Sequence, residues 1–188
     1  MTEELVRRAQ QGDTEAFEAL LTAHEKQTYG MALRMTGNRE DAADVTQEVF
    51  LTVWRTLPSF RGESRFSSWL YRLTANACID HLRREKRRHT VPLVREEDGE
   101  EQALDIPDPA PGPQEEAERS ERRAALRQAV ARLPEDQRAA LLLRESGGLS
   151  YAEIAQTLGV PEGTVKSRIA RARLQLREIL SRDGNFSR

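Results

Sequence analysis

A chain of 188 residues with 38% hydrophobic and 32% charged side chains has the composition of a globular protein whose helices each bury one stripe. It contains no run of about 18 apolar residues to span a membrane. The N-terminus MTEELVRRAQQGD lacks the apolar core of a signal peptide, and the lone Cys78 excludes an internal disulfide framework. The expectation is a cytoplasmic protein with no direct membrane insertion. The formal net charge of −2 conceals strong segregation, because residues 61–89 carry eight Lys/Arg against three acids while residues 90–118 carry ten acids against Arg95 alone. Attraction to phosphate depends on the local patch rather than on the sum.

Nearly everything outside Thr90 to Gln114 has helical period. Thr2 to Gln11 reads as a short helix closed by Gly12. Asp13 caps a second helix, which carries Phe17, Leu20 and Leu21 and ends near Gly37. Asn38 caps a third, which stops before Pro58 and has two faces. Ala42, Val45, Val49, Val53 and Leu57 make its buried stripe; Asp41, Asp44, Gln47, Glu48 and Leu51 cluster on the other side. Acids beside an exposed leucine suggest a docking surface for a basic partner. An ordinary solvated face, with acids favourably placed for the helix dipole, gives the same pattern.

After Pro58 comes SFRGESRFSSWLYRLTANACIDHLRREKRRH. Gly62 marks a loop, Ser64 or Ser67 can cap the next helix, and Phe66, Leu70, Leu73 and Ala77 give it a core stripe. Arg61, Arg65, Arg72, Arg83 and Arg84 can reach a phosphate backbone, Phe66, Trp69 and Tyr71 offer stacking surfaces, and Asn76 can read a base edge. Aromatic rings interleaved with arginine favour unstacked, single-stranded bases over duplex. The competing reading places Phe66 or Trp69 in the core.

Thr90 to Gln114, with Pro92, Pro107, Pro109, Pro111, Pro113 and the acidic run REEDGEE, reads as a linker between two helical domains. Glu115 to Leu133 resumes a helix, Pro134 breaks it, and Glu135 to Ser146 forms another around Leu141, Leu142 and Leu143. Gly147 and Gly148 then lead into LSYAEIAQTLGVPEGTVKSRIARARLQLREIL. Ser150 and Glu153 form a capping box for a helix from Tyr151 to about Leu158, Gly159 stops it, and Pro161 is pre-set for the first turn of a long second helix. Val165, Ile169, Ala172, Leu176 and Leu180 form the stripe that packs on Ile154, Ala155 and Leu158. Thr164, Lys166, Ser167, Ala170 and Arg171 fall on the opposite side. From Pro161 to Arg182 six Lys/Arg stand against Glu162 and Glu178 only. This is a helix-turn-helix pattern, whose second helix enters a major groove N-terminal end first; a solvated helix of an ordinary bundle is the bland alternative.

No catalytic constellation is present. Cys78 and His81 stand one turn apart, but two ligands do not make a structural zinc site, and His24 and His89 have no matching partners nearby in sequence. There is no phosphate-binding glycine loop and no nucleophile elbow. No enzyme activity, metal or cofactor is expected.

Taken together, these segments resemble the bacterial sigma factors of the extracytoplasmic-function group, the smallest members of the sigma-70 family. DAADVTQEVF is similar to the family's core-binding helix, FRGESRFSSWLYRLTANACIDHLRR to its promoter-melting and −10 region, and LSYAEIAQTLGVPEGTVKSRIARAR to its −35 helix-turn-helix. The resemblance implies an all-α fold of two small helical domains: region 2 over 1–89, a flexible acidic Pro-rich linker over 90–114, region 4 over 115–182, and a tail over 183–188. It implies that Asp41, Asp44, Gln47, Glu48 and Leu51 dock on the clamp helices of the largest catalytic subunit of core RNA polymerase, with a further contact at the flap region. Arg61, Ser64, Phe66, Trp69, Arg72, Asn76, Asp80, Arg83 and Arg84 would face melted −10 DNA, and Thr164, Lys166, Ser167, Ala170 and Arg171 the −35 duplex. Some members carry a large aromatic where this chain has Ala170. Asp80, an acid among phosphates, would read a cytosine amino group or cap an arginine. Glu96, Glu97, Asp98, Glu100 and Glu101 would mimic a phosphate chain in a basic polymerase channel. An anti-sigma factor is a further implied partner.

Two other readings fit parts of the chain. Stand-alone transcription regulators carry very similar helix-turn-helix segments, but they pair them with a receiver or ligand domain that usually contains strands. A decoy that sequesters an anti-sigma factor would not need the basic recognition face that this chain keeps.

Overall fold

The computed structural model describes residues 2–88 and 113–182. The 90–112 part of the expected linker, including the five acids from Glu96 to Glu101, lies outside the described residues, as do His89 and the 183–188 tail. Every regular element among the described residues is helical: α1 Thr2–Gln10, α2 Thr14–Thr36, α3 Arg39–Thr56, α4 Phe66–Arg88, α5 Pro113–Ala131, α6 Glu135–Glu145, α7 Tyr151–Leu158 and α8 Glu162–Arg182, with a single 3-10 turn over Leu57–Ser59. None of them is long and apolar enough to cross a membrane.

Local chemistry sets the boundaries. The Asp13 carboxylate accepts the Ala16 N–H, and Asn38 Oδ1 accepts the N–H groups of Glu40 and Asp41, so two helices begin where short polar side chains satisfy orphan donors. Gly37 and Gly159 end α2 and α7 in the left-handed region, at φ 75° and 64°. Neither serine expected to cap α4 does so. The Arg65 carbonyl accepts the Trp69 N–H and occupies the cap position, Ser64 Oγ accepts from Arg72, and Ser67 lies inside the first turn. Pro161 likewise sits one place earlier than expected. Its carbonyl accepts from Thr164 and Val165, which makes it the cap of a helix that starts at Glu162.

The N-terminal bundle packs α2 against α1, α3 and α4. The expected α3 stripe of Ala42, Val45, Val49, Val53 and Leu57 is wholly inside. On α4 the stripe is rotated from the expected one: Phe66, Leu70, Thr74, Ala75 and Cys78 are buried, while Leu73 and Ala77 keep some exposure. The buried hydroxyl of Thr74 is satisfied by the Leu70 carbonyl one turn back, which lets a polar residue take a core place.

In the C-terminal half α8 lies on α5, α6 and α7. Val165, Ile169 and Ala172 are buried against a fully buried Ile154, and each large member contributes about 1.5–3 kcal/mol by leaving water. Leu141, Leu142 and Leu143 are all buried. Consecutive helical positions are about 100° apart, so three in a row require partners around more than half of the helix. One neighbour does not suffice, and α6 finds α8, α7, α2 and α4. The two halves therefore meet, and their buried residues form one continuous cluster.

Candidate nucleic-acid interface

The outer face of α3 presents Asp44, Gln47, Glu48 and Leu51 to solvent. Asp41 is half-buried, its Oδ1 lying 3.2 Å from Nε2 of His81 on α4. Glu48 accepts a hydrogen bond from Arg84 Nη2 at 3.0 Å, so the expected docking face and the expected DNA face touch. Leu51 is 62% exposed and Trp54 is 51% exposed, the Trp54 ring resting edge-on against Phe17 at 4.7 Å. Trp54 is absent from the sequence-based set. The 47, 51, 54 spacing of i, i+4, i+7 was the signal for it. Large apolar side chains held in water beside carboxylates have the character of a docking patch.

Along α4, Trp69, Arg72, Asn76, Asp80 and Arg83 follow helical spacing and form one stripe, with Arg84 beside it and the exposed Arg61 in the loop before it. Phe66 is the core aromatic of the pair in question, 5% exposed and packed against His24, Phe60 and Trp69. The Trp69 ring is half-buried, tilted on Phe60 at 4.9 Å, and keeps the outer place in this ring cluster. Phe66, expected to face DNA, is thus a core ring, and Trp69 is the partly exposed one. Asp80 Oδ1 lies 3.6 Å from Arg83 Nη1, one turn along the same helix. Arg72 donates to Ser64 Oγ at 2.9 Å and lies 3.7 Å from Glu153 on α7.

The helix-turn-helix is built as its residue types require. Ser150 Oγ accepts the Glu153 N–H while the Glu153 carboxylate accepts the Ser150 N–H, completing the capping box. The same carboxylate also accepts from Ser150 Oγ at 2.8 Å, and its two hydrogen bonds from Ser150, backbone first, hold the Glu153 carboxyl below its ordinary value. On α8, Lys166, Ser167, Ala170 and Arg171 are exposed and Thr164 is half-buried, its carbonyl accepting from Ser167 Oγ. Lys166 pairs with Glu162 at 2.9 Å and stands over the Tyr151 ring, with Arg144 over the same ring at 5.0 Å. Arg168 reaches Asp136 at 3.0 Å and Arg173 reaches Glu145 at 2.6 Å, which ties the recognition helix to α6. Tyr151 has no period or motif that marks it. Only the fold brings Arg144 and Lys166 to its ring.

Residues 20–88 match the family Sigma-70 region 2, and residues 123–176 match Sigma-70, region 4. The chain is 41% identical over 176 residues to the RNA polymerase sigma-H factor of Pseudomonas aeruginosa, covering 91% of this chain and 89% of that protein. It is 40% identical over 178 residues to the ECF RNA polymerase sigma-E factor of Escherichia coli, covering 90% and 88%. Among solved structures, the sigma factor RpoE of Bartonella quintana, crystallised with the anti-sigma factor NepR, superposes with a TM-score of 0.66 at 24% identity, over 88% of this chain and 96% of that one. CnrH, in complex with the cytosolic domain of CnrY, superposes with a TM-score of 0.61 at 24% identity over 95% and 96%. These two likenesses establish the fold, and the two region matches together with the long alignments at about 40% identity establish the family. The chain belongs to the extracytoplasmic-function group of RNA polymerase sigma factors.

Proposed function

We propose a division of labour for this sigma factor in which residues 1–89 bind core RNA polymerase and the melted −10 element, residues 90–114 connect, and residues 115–182 bind the −35 duplex. The α3 patch of Asp41, Asp44, Gln47, Glu48 and Leu51, extended by Trp54, docks on the clamp helices. Carboxylates steer a basic partner and the two apolar side chains lose water on contact. The α4 stripe takes the displaced strand: Trp69 stacks a base, Asn76 reads an edge, and Arg61, Arg72, Arg83 and Arg84 hold phosphates. On α8, Arg171 and Lys166 address the −35 groove, and Ala170 leaves room for close approach. Work inside the cell, a flap contact by the C-terminal half and control by an anti-sigma factor complete the proposal. The observation that carries it is the single α4 stripe from Trp69 to Arg83, which puts a half-buried ring, an amide and cations on one face of one helix.

The test is gel filtration with purified bacterial core polymerase. Wild-type protein should co-elute stoichiometrically, and a chain carrying both Asp44→Arg and Glu48→Arg should not. Absence of wild-type association, with duplex binding retained by the chain alone, would instead indicate a stand-alone regulator.

A further inference from the structure

Gln10 has no period or motif that marks it. It is the last residue of α1, a helix anchored in the bundle by Val6 and Ala9, and it belongs to neither proposed binding face. Its half-covered carboxamide reaches the end of α3. Nε2 donates to the Leu57 carbonyl at 3.0 Å and to the Phe60 carbonyl at 2.8 Å, 47 and 50 positions along the chain. Both partners are acceptors, so the amide nitrogen faces them, and it carries one N–H for each. The two carbonyls bracket the 3-10 turn over Leu57–Ser59, which is closed by the Phe60 N–H donating to the Leu57 carbonyl. The last carbonyls of a helical turn have no partner within it, and Gln10 supplies one to Phe60.

Phe60 connects this brace to two parts of the proposed −10 surface. Its ring lies tilted on Trp69 at 4.9 Å and edge-on to Phe66 at 6.1 Å. Its carbonyl belongs to the peptide that starts the 61–65 loop. The far end of that loop is tied as well, since Ser64 Oγ accepts from Arg72 Nη2 at 2.9 Å and the Arg65 carbonyl accepts the Trp69 N–H. Between the two ties stand Arg61, Gly62 and Glu63, all exposed, with Gly62 in the left-handed region at φ 72°. A tip this short, held on both sides, keeps few conformations, so little order has to be imposed on it when a ligand arrives. Groups held in advance by packing and outer hydrogen bonds discriminate between ligands; the same groups on a loose loop adapt to several.

We propose that Gln10 is a positioning residue of the −10 surface: its carboxamide holds the Leu57 and Phe60 carbonyls, fixes the Phe60 ring against Trp69 and the 61–65 loop beside it, and so sharpens base selectivity without touching DNA. The selectivity role rests on the assignment of Arg61, Trp69 and the α4 stripe to melted DNA; the brace itself does not. The chemistry requires a donor at this position. Leucine fills a similar volume but offers no N–H to either carbonyl, and asparagine keeps the amide but ends one carbon short.

The brace is tested first in the full free chain, without DNA. The sequence has two tryptophans, so a Trp54→Phe background leaves Trp69 as the only one. In that background Gln10→Leu should raise acrylamide quenching of Trp69 and shift its emission to the red, because a released Phe60 ring uncovers it. Circular dichroism verifies helix content, and should Gln10→Leu lose helix, Gln10→Asn carries the same test. Unchanged quenching in a folded variant would overturn the brace. Selectivity is then read with holoenzyme assembled from core polymerase and the full chain with Trp54 intact, by sequencing what it retains from a single-stranded DNA library randomised over ten positions. Wild-type protein should enrich one base at the positions it reads. Gln10→Leu should lower that preference about three- to tenfold at one or two adjacent positions, the loss expected of one or two hydrogen bonds, with co-elution with core polymerase unchanged. Equal weakening at every position would make Gln10 a stability residue and overturn the selectivity role, as would an unchanged preference with raised quenching. A wild-type holoenzyme with no base preference would count against the assignment of α4 to melted DNA and remove the selectivity role with it, while the quenching result stands.

Discussion

The two halves of this sigma factor present their cations in different ways. On α8, Lys166 is paired within its own helix, to Glu162, while Arg168 and Arg173 are braced to acids of the adjoining α6. All three pairs lie inside one half. On α4, Arg83 is paired to Asp80 within the helix, but Arg84 goes to Glu48 on α3 and Arg72 to Glu153 across the seam. The proposed −10 surface is thus tied by ion pairs to the proposed docking face on one side and to the C-terminal half on the other. Exposed ion pairs contribute little to stability, so these pairings matter for availability. A cation that already has a carboxylate must exchange it for a phosphate.

The comparison can be broken most directly in the cores. Ile169→Ala should destabilise the C-terminal half by about 2–5 kcal/mol, since Ile169 is 2% exposed and no neighbour can fill the space it leaves without moving. Val49→Ala in α3 should cost less, in line with its smaller side chain, and thermal unfolding with half-specific probes should separate the two. Identical loss at both sites with one cooperative transition would mean that the halves unfold as a unit. Next in size is Arg171→Ala, expected to weaken promoter binding by about 1–3 kcal/mol and to relax one −35 position. Uniform loss over every base would assign Arg171 to phosphate instead.

A smaller effect follows from the capping box. Glu153 has its carboxyl held below the ordinary 4.5 by the two Ser150 hydrogen bonds. A depressed carboxyl contributes stability that is fully present above the unfolded value and lost as pH falls through the folded one. The C-terminal half should therefore lose stability on acidification below about pH 4.5, and Glu153→Gln should flatten that part of the profile. An unchanged profile would remove Glu153 as its source. The smallest expected effect is that of Lys166→Ala, which should lower the salt slope of promoter binding by about one if Lys166 touches phosphate. Cys78 offers an independent reading of the native core. Burial pushes its thiol up to about 12, so it should resist alkylation at neutral pH until the chain is denatured.

The helix-turn-helix was legible because its determinants are local. A capping box spans four residues, a left-handed glycine needs only itself, and an amphipathic stripe repeats every turn; the structure places Ser150, Glu153, Gly159, Val165 and Ile169 as that reading requires. The α3 stripe was legible for the same reason, and the exposure of Leu51 with it. At the start of α4 the sequence offered two serines as caps, yet backbone geometry put Arg65 there and gave Ser64 to Arg72. Periodicity also narrowed the ring cluster to Phe66 or Trp69 without choosing between them. The choice depends on His24 and Phe60, which come from other segments.

By itself the sequence determined the helices, the caps of α2, α3 and α7, the inward face of α3 and α8, the charge segregation and the order of the three family segments, because each is written in side chains within a few turns of one another. Only the tertiary structure decided that Trp54 stands in solvent on Phe17, that Tyr71 meets Gly147, that Arg138 is buried beside Cys78, and that Arg72 and Arg84 are held by acids from other helices. The reason is physical. Helical period reports which side of a helix avoids water, but the identity of the group that covers it is set by how helices pack across tens of residues of chain.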